Sequence, residues 1–182
     1  MGQAPVPIGT RVISPARERW EKSPLEASPA GTVLAMSHAY AGNFVHCVFS
    51  TKDRRPIIPA ELEARLWSYL GGIAVNLGVR MLAVGGTRNH VHVLIALPAR
   101  LSLAEVVQKL KANSSRWLGE QDVAFGWQKG YGAFSVSPSM LEKVSSYIHH
   151  QAEHHQKRNF EEEFIAFLRK SGIEFDARDA LS

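Results

Sequence analysis

Apolar and polar residues follow no sustained period over residues 1–37, and a regular pattern begins at about Tyr40. Residues 43–50 (NFVHCVFS) are rich in aromatic and β-branched side chains and predict a strand. Over 59–77, Leu62, Leu66, Tyr69, Leu70, Ile73 and Leu77 recur at helical spacing, with Pro59 near the start and Gly78 just past the end. Residues 79–84 predict a second strand, 85–89 (GGTRN) a turn, and 90–97 (HVHVLIAL) a third strand, so that the turn closes a hairpin. A second amphipathic helix is expected over 103–118, with Leu103, Val106, Val107, Leu110 and Trp117 on its apolar side. After a glycine-punctuated loop at 126–132, residues 134–136 predict a short fourth strand. One long helix is expected over 139–159, opened by a capping box from Ser139 to Glu142, and a short one over 160–170.

The order β-α-β-β-α-β followed by helices predicts an α+β fold, the ferredoxin-like or RRM-like split βαβ arrangement. Its antiparallel sheet carries helices on one face, and a further C-terminal helix follows. Pro5, Pro7, Pro15, Pro24 and Pro29 punctuate residues 1–37, where too little apolar surface is available to offset the entropy of ordering. The expected organisation is a disordered extension at 1–37, one domain at 38–172 and a tail at 173–182.

Composition adds boundaries. A hydrophobic fraction of 45% supports a real core. Cys47 is the single cysteine, which excludes an internal disulfide framework and suits a reducing cytoplasm. No apolar run approaches the ~20 residues of a membrane helix, and no secretory signal is apparent, so no membrane partner is expected. A net charge of +4 permits, without requiring, a polyanionic partner.

Two short constellations carry chemistry. His90 and His92 stand at i and i+2 on a strand and therefore share a face, where two imidazoles can hold one divalent metal. Tyr147 and Gln151 stand at i and i+4 on a helix, so a phenol and a carboxamide emerge together from an inward-turned stripe. Each motif alone has a plain structural explanation. Together they supply what a phosphodiester cut needs: an oxygen nucleophile, and a Lewis acid held by His90, His92 and the Gln151 carbonyl oxygen.

The pair of motifs, in this order and on these elements, resembles the single-tyrosine HUH transposases, the IS200/IS605-type enzymes and their REP-associated relatives. The resemblance spans about residues 40–172. It implies a metal-dependent transposase in which Tyr147 attacks a phosphate of single-stranded DNA, forms a 5′-phosphotyrosine, releases a 3′-hydroxyl and later reseals the strand. It further implies Mg²⁺ or Mn²⁺ as cofactor, hairpin-bearing single-stranded DNA as partner, a homodimer whose tyrosine helix can complete the other protomer's site, and a cytoplasmic, nucleoid-associated location in a bacterium.

Candidate DNA contacts are Lys52, Arg54 and Arg55, the densest basic patch; Arg88 and Asn89 beside His90; Lys109, Lys111 and Arg116 on the second helix; and Lys129 in the glycine-rich loop. Trp117 reads as core. His149, His150, His154 and His155 read mostly as a solvated face, with a place near the metal or DNA for some of them as the alternative, and the acidic run 161–163 reads as a charged helix start that could also feed a metal site. Tyr131 is the second candidate nucleophile. Two other functions stand beside the transposase: a domesticated single-strand endonuclease acting on genomic repeats, and a non-catalytic RRM-like nucleic-acid-binding module. The second is disfavoured because histidines occupy sheet positions where such modules place base-stacking aromatics.

Overall fold

The structure, a computed structural model, describes residues 41–155 and 159–176. The expectations for 1–37 and for the end of the tail, 177–182, lie outside the described residues. Four strands form one antiparallel sheet in the order β2-β3-β1-β4: β1 (Phe44–Ser50), β2 (Arg80–Thr87), β3 (His90–Ala96) and β4 (Gly132–Ser135). Helices α1 (Glu63–Asn76) and α2 (Leu103–Gly119) are the two crossovers of the split βαβ unit. After β4 come α3 (Leu141–His149), the single turn α4 (Gln151–His154) and α5 (Phe160–Lys170).

The period of two along the strands sorts residues between two faces. Cys47, Phe49, Val91, Val93 and Ile95 point one way and build the main core with Leu66, Leu70 and Ile73 of α1 and Val106, Val107 and Leu110 of α2. His46, Val48, His90, His92 and Leu94 alternate with them and point the other way, toward α3 and α5. The sheet is thus covered on both sides, with the expected helix pair on one face and the C-terminal helices on the other.

Three local expectations are corrected. Gly85, Gly86 and Thr87 are not in the turn: they extend β2 and pair with His92, Val91 and His90, leaving a two-residue turn at Arg88-Asn89. The helix expected over 139–159 is broken at His150, whose backbone leaves the helical region (φ −102°, ψ 24°). The Ser146 carbonyl there accepts from both the His150 backbone N–H at 3.2 Å and, at 2.7 Å, the His150 imidazole, a side-chain competition that disturbs helix ladders. Nor does Ser139 cap a helix; it lies in a 3₁₀ turn, Pro138–Met140, with its hydroxyl on Ser137. The capping box forms instead at α5, between Asn159 and Glu162.

One glycine places the helix that carries Tyr147. Leu82 is an extra residue in β2, between the pairs Met81–Ile95 and Ala83–Leu94, and it turns Ala83 and Gly85 toward α3. A Cβ on Gly85 would collide with the Ile148 carbonyl, so only a bare Cα lets the end of α3 settle against β2.

Candidate active site

His90 and His92 are fully buried at the middle of the sheet, and their Nε2 atoms face the same space. Each ring is oriented through its other nitrogen. His90 Nδ1 lies 2.7 Å from Asn89 Oδ1 and 3.0 Å from Thr87 Oγ1; His92 Nδ1 lies 2.9 Å from His46 Nε2. Partners on Nδ1 fix ring direction and leave Nε2 for a ligand.

Glu163 completes the space from α5. Its Oε2 is 3.3 Å from His92 Nε2, 3.3 Å from His155 Nε2 and 3.9 Å from His90 Nε2. Ligand atoms of His90, His92, His155 and Glu163 all lie within 4.8 Å of one another. Burial and the adjacent His92 and His155 rings hold His90 well below its ordinary pKa, and burial with His155 pushes His92 down to about 3. Both rings are therefore neutral, the form that ligates metal. Burial also pushes the Glu163 carboxyl up to about 8. Among the described residues, His92 Nε2 and Glu163 Oε2 are buried with no hydrogen-bond partner although they lie close together. A divalent cation fits this set: nitrogen and oxygen donors, buried, convergent and short of positive charge.

Gln151 is buried beside this set, its Oε1 3.4 Å from His90 Nε2 and its amide donating to Glu163 Oε1 at 3.3 Å. The break at His150 does not carry it away, because His154 and His155 resume the ladder to the His150 and Gln151 carbonyls. Tyr147 is half-buried, and its hydroxyl donates to Glu163 Oε1. The phenol ring is 5.9 Å from the His92 ring and also borders a cavity of about 280 Å³ lined by Lys143 and Lys170. Nucleophile candidate and histidine pair thus meet within one chain.

For His155 and Glu163 the sequence favours a solvated face and a charged helix start, with a metal role only as the alternative, and the fold places both in the cluster. The signal that existed for Glu163 was weak, one of three consecutive acids of which it alone is buried. His46 carried a clearer one: alternation on β1 puts it on the face of Val48, which pairs with His92. Of the other histidines, His149 and His150 are exposed, and His154 packs on the Tyr147 ring at 4.7 Å.

The candidate DNA contacts do not gather in one place. Lys52, Arg55, Arg88, Lys109, Arg116 and Lys129 are exposed. Arg54 pairs with Glu161 at 2.9 Å, tying the segment after β1 to α5. Asn89 is committed to the His90 ring. Lys111 donates to the Gln128 and Gly130 carbonyls, both at 2.7 Å, and so clamps the glycine-rich loop. Trp127 of that loop packs in the main core, and Tyr131 stands exposed beside Phe160 and Phe164.

A split βαβ sheet bearing a histidine pair on its central strand, with a tyrosine helix laid across it, is the frame of a HUH-type nuclease. The chain belongs to the family described as IS200-like transposases, whose pattern it matches over residues 40–151. The IS200 insertion-sequence transposases of Salmonella typhimurium and Salmonella typhi are each 29% identical to it over 131 residues, 68% of this chain and 86% of theirs. The structure of a REP-associated tyrosine transposase bound to a REP hairpin superposes with a TM-score of 0.51 at 14% identity, over 63% of this chain and 68% of that one. A Deinococcus radiodurans transposase structure gives 0.49 at 22% identity, over 62% of this chain and 93% of that one. The protein is thus a HUH-type tyrosine transposase, whose chemistry is metal-dependent cleavage and rejoining of single-stranded DNA. His155 and Glu163 lie beyond the matched residues, so their part in the cluster rests on geometry alone.

Proposed function

We propose that Tyr147 is the nucleophile, that His90, His92 and Glu163 are the principal ligands of one Mg²⁺ or Mn²⁺ ion, with His155 and Gln151 at its edge, and that the substrate is single-stranded DNA bearing hairpins. The observation that carries this reading is the position of Glu163: one carboxylate oxygen accepts from Tyr147, while the other faces the His92 and His155 Nε2 atoms. When bound, the cation supplies Lewis-acid stabilisation of the charge that develops on the phosphate oxygens.

The chain's own groups do the rest. Glu163 orients the Tyr147 hydroxyl and is placed to take its proton. The Tyr147 oxygen bonds to phosphorus as the P–O3′ bond breaks; the 3′ oxygen leaves as a hydroxyl after gaining a proton, and the 5′ side stays on the enzyme as a phosphotyrosine. The reverse attack by a 3′-hydroxyl restores the tyrosine and closes the strand, with bond energy conserved. Lys143 and Lys170 line the opening beside Tyr147 and offset phosphate charge there. Among the separately predicted DNA contacts, Lys52, Arg55, Arg88 and Lys129 remain candidates for backbone grip.

Incubation with a labelled hairpin oligonucleotide and Mn²⁺ should give a covalent protein–DNA adduct on a denaturing gel, and Tyr147→Phe should abolish it. An adduct of unchanged yield in Tyr147→Phe would move the nucleophile elsewhere, Tyr131 first.

A further inference from the structure

On the histidine face of the sheet, a cavity of about 190 Å³ lies between the end of β1, the glycine-rich loop and α5. It adjoins the metal cluster. Ser50 on its floor pairs with His90 across the sheet, and Phe160 on its wall packs 4.7 Å from the His90 ring. Phe164 continues that wall, stacked on Phe160 at 5.7 Å and 19°. Gly132 makes room for it, since a Cβ there would press on the Phe164 ring. Tyr131, 39% exposed, and Lys129 stand at the rim.

Two features distinguish this cavity from a gap between loops. The first is Ser50. It is 7% exposed, and among the described residues its hydroxyl has no hydrogen-bond partner. A buried hydroxyl facing a cavity is costly unless a group from outside the chain meets it. The second is rigidity. Lys111 holds the Gln128 and Gly130 carbonyls, and Trp127 anchors the loop by donating to Ser114 Oγ at 3.0 Å. On the other side, Asp53 and Arg54 keep left-handed backbone (φ 55° and 54°). The Asp53 backbone N–H donates to Gln128 Oε1 and Arg54 pairs with Glu161, each at 2.9 Å. Such strain persists only where the surroundings over-determine it. The walls are thus set before any ligand arrives, which lowers the cost of binding.

We propose that this cavity receives one unstacked base of the DNA strand, from a nucleotide next to the scissile phosphate, with Tyr131 stacked on the face of the base and the Ser50 hydroxyl on its edge. Tyr131 and Ser50 are then specificity-determining residues for the cut. The inference rests on the transposase reading, which puts the scissile phosphate at the histidine pair, one aromatic ring away. The cavity asks for a planar ring to lie on its aromatics, a donor or acceptor on that ring for Ser50, and a negative charge for Lys129. A nucleotide brings all three, and base stacking on aromatics with polar contacts to the base edge is how single strands are read.

Wild-type protein with Mn²⁺ and a hairpin oligonucleotide first locates the cut from the adduct. Abasic residues then replace, one at a time, the nucleotides on either side of it, and affinity is read by fluorescence anisotropy with the full chain carrying Tyr147→Phe. Removing the pocket base should weaken binding about tenfold, and so should adding Tyr131→Ala on the intact strand. The two losses should not add: on the abasic strand, Tyr131→Ala should cause no further loss. Tyr131→Phe, which keeps the ring, should recover the affinity. With each of the four bases placed at that position in turn, Ser50→Ala should narrow the spread of affinities by about fivefold, the worth of one hydrogen bond. Losses that add at both neighbouring nucleotides, or a spread that Ser50→Ala leaves intact, would overturn the proposal. A wild-type chain that forms no adduct would sink the nuclease reading and this one with it, whereas an adduct with additive losses sinks this one alone.

Discussion

His46 lies outside the proposed ligand set, yet its ring orients His92, one member of that set. It faces His92 Nδ1 at 2.9 Å and packs in a cage with the Phe134 and Phe167 rings. Outer partners of this kind are worth about 10–100-fold in metal affinity. Calorimetric titration with Mn²⁺ should therefore show His46→Ala weakened on that scale with its fold retained; unaltered affinity would remove His46 from the orienting role. Replacing the proposed ligands is more severe. His90→Ala or His92→Ala should abolish cleavage while hairpin binding, measured by anisotropy, stays within about threefold, because the cations proposed to grip phosphate lie outside the histidine pair. Cleavage at the wild-type rate by either variant would refute the metal assignment.

Two junctions govern the elements. At β2 and α3, Gly85 lets the helix end approach the sheet, and that approach sets the height of Tyr147 and Gln151 over the histidines. Gly85→Ala should lift α3, cost about 1–3 kcal/mol in denaturant unfolding and depress adduct formation more than DNA binding. A variant with normal stability and normal adduct yield would show that the helix is placed by its apolar stripe alone. At α5, the Asn159–Glu162 capping box starts the helix that delivers Glu163. Losing the Asn159 side chain removes one cap, worth about 0.5–2 kcal/mol. Asn159→Ala should consequently reduce Mn²⁺ affinity through the position of Glu163, a loss that the alternative cap Asn159→Asp recovers.

Across the whole molecule, stability should report the buried titrating groups in opposite directions. His46 and His92 titrate near pH 3 in the fold against an ordinary 6.5, so the unfolded chain binds their protons first and stability falls as pH drops below 6.5. His90 shifts in the same direction. Glu163 titrates near pH 8 against an ordinary 4.5, so the native state holds its proton longer and stability falls as pH rises from 4.5 to 8. Between 4.5 and 6.5 the three histidines outweigh the one acid. Metal-free protein should show a Tm maximum near pH 6.5, with an alkaline decline that Mn²⁺ cancels by stabilising the ionised carboxylate. A Tm that climbs steadily from pH 6.5 to 8 in chelator would contradict the burial of Glu163. The proximity of Tyr147 to the histidines within one chain carries a further expectation. Mixing Tyr147→Phe with His92→Ala protein should restore no cleavage, whereas recovered activity would mean that tyrosine and histidines meet across a homodimer.

Periodicity alone determined the order of strands and helices, the shared face of His90 and His92, and the candidacy of Tyr147 and Gln151, because side-chain direction within one element follows from local backbone geometry. Those features sufficed for the resemblance to the HUH transposases. Folding decided what lies between elements distant in sequence. For Glu163 and His155 the surface reading is the plainer one and a metal role only an alternative, since nothing local distinguishes a charged side chain that meets an imidazole across the sheet from one that meets water. The helix break at His150 and the cramped contact at Gly85 were equally hidden, for both depend on neighbours that only the packed sheet and helices supply.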